Sequence, residues 1–448
     1  MIDEQIARKA PLWQALQEYQ KLNRTSFHTP GHKGKDFFPK NPWQNDLTEL
    51  PETDALYEAE GVILASEKEL ARLYHADRSL ISAGGCTLAI QAMIHLACHG
   101  GKLLCSRILH RSAVNTMALL GIEPLWILPK NQSGCSGRIE PEQVLEMLNK
   151  HDDIDAVYIT SPDYYGALSD IAGISAVCQK FNIPLLVDNA HGSHLAFLHE
   201  NLHPLHLGAT MTACSMHKTL PVLTGGAALN IHGKKYTENA KTAMALFGST
   251  SPSYPIMCSI DLCVQWLLNG GAEKYATLES TIAKIKSTAA TKGIIQPLGL
   301  CDPLRISLNT ASVGMSGTES GAYFRERGLE PEMFDRENVV FICTPFNTNT
   351  ELERLHKAIL DLPTKTSVFS EQNFAFELPE RVMTIREALL SPKKNVPLEQ
   401  AVGEIAADIV CPCPPGIPLV IPGERITAAC VGRLKTFTET ITIYSSLR

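Results

Sequence analysis

Short apolar runs alternate with longer amphipathic segments between about residues 80 and 230. The runs are almost continuous in apolar residues, which is typical of parallel strands that helices cover on both faces. We predict seven strands, with the sequences SLIS, KLLC, PLWIL, AVYIT, PLLVD, TACS and AALNI. The segments between them have helical length and spacing, and we predict helices at 87–99, 112–120, 141–150 and 171–181. The pattern therefore predicts a parallel α/β sheet.

The pattern changes after about residue 255. A helix-rich stretch runs to about residue 292, and residues 304–346 follow the order strand, helix (318–327), strand. The chain closes with a proline-rich segment at 411–423 and the strand-like sequence TETITIYSS. We predict three parts, which are an amino-terminal arm at 1–45, a large α/β domain at 46–265 and a smaller α+β domain at 266–448.

Composition excludes several classes of protein. The 448 residues are 44% hydrophobic and carry a net charge of −7 without a lysine or arginine run, which argues against nucleic acid as the main partner. About 18 uninterrupted apolar residues would be needed to span a membrane, and no such run exists; the first ten residues also lack the apolar core of a secretory signal. Thirteen scattered cysteines without zinc-like spacing fit reduced thiols, so we expect a cytoplasmic protein without a metal site.

A lysine follows the strand-like run TACS in the string Ser215-Met216-His217-Lys218. A lysine at a strand end faces the cleft in which α/β proteins bind their ligands. Its amine forms Schiff bases with aldehydes, and partial desolvation makes it nucleophilic at neutral pH. Taken alone, the same string also fits a surface lysine in a loop.

A carboxylate closes the run PLLVD at Asp188, and the sequence NAHG, which includes His191, follows it. A carboxylate at the end of a buried parallel strand is well placed for ligand chemistry. Pyridoxal phosphate needs one against its ring nitrogen, because the protonated ring is its electron sink. Alternatively, Asp188 caps the next helix.

Two further strand ends carry candidate ligand groups. The turn Gly85-Cys86-Thr87 joins a strand to a helix, where small residues let backbone amides approach a phosphate, although any tight turn uses glycine as well. His110 follows another strand and could lie flat on an aromatic cofactor, or it could be structural. The specific signal is the ordered set of glycine turn, histidine, Asp-x-x-His and Ser-x-His-Lys at successive strand ends.

These residues are part of a resemblance that runs nearly from end to end of the chain. The motifs that carry it are HTPGHKG at 28–34, DLTEL at 46–50 with Asp54, GCT at 85–87, HRS at 110–112, YYG at 164–166, DNAHGSH at 188–194, MHKTLPVLTGG at 216–226, EPEM at 330–333 and PPGIP at 414–418 with PGE at 422–424. The chain resembles the pyridoxal-phosphate-dependent Orn/Lys/Arg decarboxylases of the aspartate aminotransferase fold. It is most similar to their short, wingless form, the small arginine decarboxylases of Gram-positive bacteria. The resemblance implies a fold-type I α/β domain that binds pyridoxal 5'-phosphate on a mixed, mostly parallel sheet, with a smaller α+β domain after it.

The resemblance also implies a role for each candidate residue. Lys218 would form the Schiff base with the cofactor, Asp188 would face the ring nitrogen, and both would be catalytic together with a stacking His110. His191 would lie beside the ring hydroxyl. The implied phosphate ligands are Gly85, Cys86, Thr87, Ser215 and His217. The chain departs from the family at Asn189, where many members have glutamate, and at Cys86, where they have serine; neither departure removes a required group.

The implied reaction is decarboxylation of a basic L-amino acid, with a place in polyamine biosynthesis. The similarity to the Gram-positive enzymes favours arginine as substrate (to agmatine), followed by lysine (to cadaverine) or ornithine (to putrescine). Asp54, Glu330 and Glu424 are the candidates for binding the substrate side chain, although each also fits a surface acid or a helix cap. The same cofactor residues fit an aminotransferase, a carbon–sulfur lyase or an aldolase. A pyridoxal-binding protein without catalysis is a further alternative, against which Lys218 argues.

The resemblance implies assembly as well. In this fold family two subunits usually share the active site, so we expect a homodimer or a higher homo-oligomer. The HTPGHKG segment lies far upstream of the predicted cofactor strands, and we predict that it is an arm reaching a neighbouring subunit. The alternative is a glycine-punctuated loop that packs on its own domain.

Overall fold

The computed structural model describes residues 10–38, 41–133, 136–294, 299–366, 378–411, 416–435 and 438–445. The helices of these residues, labelled α1 to α14 in chain order, are Pro11–Lys21, Val62–Tyr74, Gly85–Ala97, Arg111–Leu120, Pro141–Lys150, Ile171–Lys180, Met216–Thr219, Ala240–Phe247, Tyr254–Trp266, Ala272–Thr291, Gly317–Glu326, Asn349–Leu360, Ile385–Leu390 and Ala428–Leu434. The strands, β1 to β16, are Thr25–Phe27, Arg78–Ser82, Lys102–Ser106, Glu123–Ile127, Lys130–Ser133, Ser136–Arg138, Ile154–Thr160, Leu185–Asp188, Met211–Cys214, Ala227–Ile231, Arg305–Asn309, Leu329–Pro331, Met333–Phe334, Asn338–Ile342, Lys393–Pro397 and Thr440–Tyr444.

The seven predicted strands all lie in one central sheet, in the order β2-β10-β9-β8-β7-β3-β4. Strand β10 runs antiparallel to both of its neighbours, and the other pairs are parallel. The parallel sheet predicted from the pattern is thus present in four of the six strand pairs, with β10 as the exception, and the mixed, mostly parallel sheet implied by the resemblance is confirmed. The physical reason is the short connection from β9 to β10, which holds only the one-turn helix α7 and turns the chain straight back.

Helices cover both faces of this sheet. On strand β3, Leu103 and Cys105 pack in a core with α3, α4 and α8, whereas Leu104 packs on the opposite face with α5 and α6. Successive side chains of a strand point to opposite faces, so a strand buried on both sides needs apolar residues at every position. This burial explains the unbroken apolar runs of the sequence.

The carboxyl ends of the parallel strands meet at one edge of the sheet. Strands β3, β7, β8 and β9 end there at Ser106, Thr160, Asp188 and Cys214. In open α/β sheets, ligands bind in the crevice outside this edge. The loops that leave these strands are therefore the expected location of a ligand-binding site.

A second, smaller set of elements follows α10. Strands β11, β14 and β13 form an antiparallel sheet, and helix α11 lies between β11 and β12 in the chain. The predicted order of strand, helix and strand over residues 304–346 is confirmed. Strands β15 and β16 pair further along the chain. The predicted domain boundaries at residues 45 and 265 remain predictions.

The HTPGHKG segment packs on its own chain. Strand β1, just before it, pairs in parallel with β12. The amide of Gly31 donates a hydrogen bond of 2.8 Å to the carbonyl oxygen of His217, next to Lys218. A Cβ atom at Gly31 would lie 2.5 Å from the carbonyl oxygen of Leu220, so only glycine allows this approach. The prediction of an arm reaching a neighbour is wrong for this segment, because distance along the chain says nothing about distance in the fold.

Three observations concern thiols, metals and membranes. Eight of the eleven cysteines that the structure describes are buried free thiols. Within the described ranges, no group of three or more histidine, cysteine or carboxylate side chains is arranged to hold a metal ion. None of the described helices is both long and apolar enough to cross a bilayer.

Candidate active site

A cavity of about 230 Å³ opens at the carboxyl edge of the central sheet. The nine residues that the resemblance implies for cofactor binding all line it, namely Gly85, Cys86, Thr87, His110, Asp188, His191, Ser215, His217 and Lys218. Thr160, Tyr164 and Ile417 line it too, and the sequence analysis assigned them no role. The fold thus brings residues from five separate strand ends and one distant loop to a single cavity.

Lys218 occupies the third position of the short helix α7, directly after β9. Its Nζ atom lies 2.9 Å from Nε2 of His191. Burial lowers the pKa of the Lys218 amine, while the negative charge of Asp188 opposes the effect of burial. A partly desolvated lysine of this kind offers a neutral, nucleophilic amine at a lower pH than a surface lysine does.

Asp188 ends β8 and is almost fully buried at the floor of the cavity. One carboxylate oxygen accepts a hydrogen bond of 3.1 Å from the amide of Ala190, and the other accepts one of 3.1 Å from the hydroxyl of Tyr158. Burial raises the pKa of Asp188, and the nearby positive charge of Lys218 lowers it. A buried carboxylate with two donors is a strong electrostatic partner for a protonated ring nitrogen.

The turn from β2 into α3 forms one wall of the cavity. Gly85 has a φ of +71°, and a Cβ atom at this position would meet nothing within 4 Å. The first-turn amides of α3 follow it, and amides at a helix start are free to bind an anion. Together with the hydroxyls of Thr87 and Ser215, these amides form a donor set that suits a phosphate.

A buried hydroxyl without a partner supports the fit to a polar ligand. Oγ1 of Thr160 is buried at the cavity and has no hydrogen-bond partner among the described residues. A buried polar atom of this kind costs free energy unless it is satisfied. The residues present therefore fit a cofactor that carries a phosphate, an aromatic ring and several polar substituents.

Two histidines of the cavity are held in the neutral form. His110 caps the start of α4, where its Nδ1 atom accepts a hydrogen bond of 3.3 Å from the amide of Ser112. Burial lowers the pKa of His110 to about 4, and burial likewise lowers the pKa of His217 to about 4. Neutral imidazole rings at these positions can stack on an aromatic ring or donate one hydrogen bond each.

The proline-rich tail reaches the cavity beside His110. Gly416 has a φ of +73°, and a Cβ atom there would lie 3.2 Å from Cδ2 of His110. The amide of Arg111 donates a hydrogen bond of 3.2 Å to the carbonyl oxygen of Gly416. Pro414 and Pro415 of the same motif lie outside the described residues.

The two departures from the family pattern have different positions. Asn189 is fully buried and donates a hydrogen bond of 2.8 Å to the carbonyl oxygen of Ser161, and it does not line the cavity. Cys86 does line the cavity, and burial raises the pKa of its thiol well above the ordinary value. An uncharged thiol leaves the backbone amide of residue 86 available to a phosphate.

The three carboxylates proposed for the substrate side chain lie elsewhere. Asp54 accepts hydrogen bonds from backbone amides at the start of α2. Glu330 pairs with Arg24 at 2.6 Å, and the buried Glu424 pairs with Arg107 at 3.2 Å. None of the three lines the cavity in the described part of the chain. Their role in substrate binding remains a prediction.

Glu332, from the same EPEM motif as Glu330, is the carboxylate that borders the cavity residues. It accepts hydrogen bonds of 2.6 Å from the hydroxyl of Tyr164 and 2.8 Å from the amide of Thr29. The Tyr164 ring packs 4.7 Å from the ring of His191, measured between centroids. Glu332 could not be singled out from the sequence, because nothing in the EPEM motif distinguishes Glu332 from Glu330.

Comparison with known proteins identifies a family that matches most of the chain. The Orn/Lys/Arg decarboxylase family matches the chain with its major domain at residues 10–297 and with its C-terminal domain at 368–444. An arginine decarboxylase of Bacillus subtilis is 29% identical over 94% of this chain and 91% of that protein. The constitutive lysine decarboxylase of Escherichia coli is 22% identical over 93% of this chain and 75% of that protein.

Solved structures agree with the observed fold. The Escherichia coli constitutive lysine decarboxylase superposes with a TM-score of 0.71 and 19% identity, covering 97% of this chain and 82% of that one. A structure of SPT with PLP gives a TM-score of 0.54 and 14% identity, covering 66% of this chain and 75% of that one. The predicted aspartate-aminotransferase-like fold is thereby confirmed.

Proposed function

The chain belongs to the Orn/Lys/Arg decarboxylase family, and on this premise we propose that it decarboxylates L-arginine to agmatine with pyridoxal 5'-phosphate as cofactor. The observation that carries the proposal is the position of Lys218, which lies within one cavity together with Asp188 and His110. A buried lysine, a buried carboxylate and a neutral imidazole are the groups that this cofactor needs for its aldehyde, ring nitrogen and ring face.

The residues around the cavity divide into those that would hold the phosphate and those that would hold the ring. In our proposal the turn Gly85-Cys86-Thr87 would hold the phosphate through the amides of Cys86 and Thr87, because the amide of Gly85 donates a hydrogen bond of 2.8 Å to the carbonyl oxygen of Gly225. The side chains of Ser215 and His217 would hold the phosphate from its other side. His110 would hold one face of the ring, and Asp188 would face the ring nitrogen. When bound, pyridoxal phosphate supplies the electron sink for the pair of electrons that remains after the carboxylate leaves as carbon dioxide.

The protein's own groups set the charges for this chemistry. The carboxylate of Asp188 keeps a proton on the ring nitrogen, since a buried negative charge is stabilised by a cation in contact with it. The burial that lowers the pKa of Lys218 keeps its amine free to react. The low pKa of His110 keeps that ring uncharged, so it adds no positive charge against the protonated cofactor ring.

Arginine is preferred to lysine on the strength of the relatives. The Bacillus subtilis arginine decarboxylase shares 29% of aligned residues with this chain, whereas the Escherichia coli constitutive lysine decarboxylase shares 22%. The match also covers more of the arginine decarboxylase, at 91% against 75%. Ornithine is the third candidate within the family.

Product identification distinguishes these substrates. The purified protein with added pyridoxal phosphate is incubated separately with L-arginine, L-lysine and L-ornithine, and the amine is identified by mass spectrometry. We expect agmatine from arginine at a kcat/KM at least about tenfold above the values for the other two, which corresponds to about 1.4 kcal/mol of discrimination. A higher kcat/KM for lysine or ornithine would overturn the choice of arginine and leave the reaction class intact.

We further propose that the protein is a homodimer or a larger homo-oligomer. Helix α1 buries none of its residues in the single chain, and it exposes 73% of Leu12 and 52% of Trp13. Trp43, shortly downstream, is 83% exposed. Apolar side chains of this size are usually covered, and a second copy of the chain would cover them.

Light scattering coupled to size exclusion tests the assembly. We expect a mass of at least twice the 49.0 kDa of the chain, and activity that falls on dilution together with the oligomer. A fully active species of 49.0 kDa would rule the proposal out.

The free thiols of the structure support a reducing compartment. Eight of the eleven described cysteines are buried, and these eight are free thiols. We therefore propose that the enzyme works in the cytoplasm.

A further inference from the structure

Arg305 lies directly behind the cavity without lining it. It is the first residue of β11, its side chain is 1% exposed, and it reaches the back of His191. One terminal nitrogen lies 3.3 Å from Nδ1 of His191, and the other donates a hydrogen bond of 3.0 Å to the carbonyl oxygen of Tyr164. Nothing in the sequence analysis singled out this arginine.

The guanidinium dictates which nitrogen of His191 carries the proton. A guanidinium has donors only, so Nδ1 of His191 must accept the hydrogen bond and must be unprotonated. In the neutral ring the proton then sits on Nε2. That atom lies 2.9 Å from Nζ of Lys218, so the N–H group of His191 faces the lysine amine. An amine that accepts a hydrogen bond needs a free electron pair, which an ammonium lacks.

We propose that Arg305 is a positioning residue that fixes His191 in the Nε2-protonated form, and that His191 in turn holds the amine of Lys218 unprotonated for its reaction with the cofactor. That the Lys218 amine reacts with a cofactor rests on the proposed function. The proton positions on His191 and Lys218 rest only on the observed contacts. Removing the guanidinium frees His191 to turn its proton to Nδ1 and to accept a hydrogen bond from a Lys218 ammonium instead.

The arginine itself is held in place from behind. Asp302 has one carboxylate oxygen 3.9 Å from Nε of Arg305, and its other oxygen lies 2.9 Å from Nε2 of His194. All three side chains are at most 2% exposed, and Tyr164 packs against the His191 ring from another side. The chain of contacts thus runs through buried groups with little freedom to rearrange.

Other charged groups near Lys218 and His191 also influence the protonation of these two side chains. Lys218 also faces Asp188 and Glu332, whose negative charges favour the ammonium. The thiol of Cys86 stays uncharged, because burial raises its pKa well above the ordinary value. His191 also faces Lys218, His110 and His217. Burial and the positive charge of Arg305 lower the pKa of His191 well below the ordinary value, which keeps the ring neutral as the proposal requires. Arg305 is therefore the fixed cation that opposes the two carboxylate neighbours of Lys218.

Competitive labelling of the full-length, cofactor-free chain with acetic anhydride measures the protonation of Lys218. The extent of labelling of the Lys218 peptide is followed by mass spectrometry across pH. We expect the midpoint for Arg305→Met to lie about one pH unit above that of the wild type, which gives about tenfold less labelling below both midpoints. We expect Arg305→Lys to restore most of the low midpoint, because an ammonium also carries only donors.

Arg107 provides the matched control, since it is also buried and also paired with a carboxylate, but does not line the cavity of Lys218 or donate to His191 through a described hydrogen bond. The variant Arg107→Met is expected to lower the thermal unfolding midpoint without moving the labelling midpoint of Lys218. An Arg305→Met protein that folds and labels like the wild type would overturn the proposal.

A measurement on the unmodified protein guards against a variant that does not fold. With ¹⁵N-labelled histidine, long-range ¹H–¹⁵N spectra distinguish the two tautomers, and His191→Gln assigns the signal. We expect the proton on Nε2, and a ring protonated on Nδ1 or on both nitrogens would refute the proposal. Neither experiment uses an amino-acid substrate, so a positive result here alongside no carbon dioxide from arginine, lysine or ornithine would sink the proposed function alone.

Discussion

Replacement of Lys218 by alanine is expected to lower the rate of arginine decarboxylation by about 10³-fold or more, the scale on which removal of one preorganised catalytic group acts. We expect this loss because Lys218 supplies the amine of the cavity that Asp188 also lines. Its Nζ atom lies 2.9 Å from Nε2 of His191. The visible absorption band of the bound cofactor should disappear as well. Far-UV circular dichroism should be unchanged, since the one-turn helix α7 tolerates alanine well.

Lys241 offers the matched control for this variant. It is another largely buried lysine, but it is bonded to Glu67 at 2.7 Å and lies outside the cavity. The variant Lys241→Ala should lower the thermal unfolding midpoint because it strands a buried carboxylate, and it should keep the absorption band. Near-normal turnover in Lys218→Ala would remove Lys218 from the chemistry.

Replacement of Asp188 by asparagine is expected to retain some cofactor and to lose most of the rate, by about 10² to 10⁴-fold. A neutral amide cannot keep the ring nitrogen protonated, so the electron sink weakens at the step in which carbon dioxide leaves. The asparagine is nearly the same size, and the amide of Ala190 still finds an oxygen to donate to. Single-turnover measurement of carbon dioxide release separates this loss from weaker cofactor binding.

Tyr158→Phe is the companion variant, because it removes one donor to Asp188 and leaves the carboxylate in place. Its loss should stay below about tenfold, the scale of one hydrogen bond. If Asp188→Asn and Tyr158→Phe lose rate equally, the charge of Asp188 is not what the cavity uses, and its role is only structural.

The sequence predicted the central sheet well because burial on both faces leaves a direct mark on composition. Strands such as β7 and β8 must be apolar at nearly every position, and the motif residues that follow them interrupt these runs sharply. The nine cofactor candidates lie together because they all follow strand ends at one edge. The strand-end pattern singled out the four motifs, and the resemblance to the decarboxylases supplied the role of each residue.

Neither strand direction nor contacts between distant segments can be recognised from the local composition of the sequence. The antiparallel course of β10 depends on the connection before it, since its apolar run looks like that of a parallel strand. The position of HTPGHKG beside Lys218 depends on the close approach of Gly31 to Leu220, two residues almost two hundred positions apart. Glu332 and Arg305 were missed for the same reason, because each acts through partners distant in sequence.

The central claim is that the cavity around Lys218 removes the α-carboxylate of a basic amino acid. The most direct measurement incubates the purified protein and pyridoxal phosphate with L-arginine labelled with ¹³C in its carboxylate, and follows labelled carbon dioxide and amine together. We expect one labelled carbon dioxide for each agmatine formed, and none with Lys218→Ala. Conversion of arginine, lysine or ornithine to a 2-oxo acid with the label retained, or no conversion of any of the three, would contradict it.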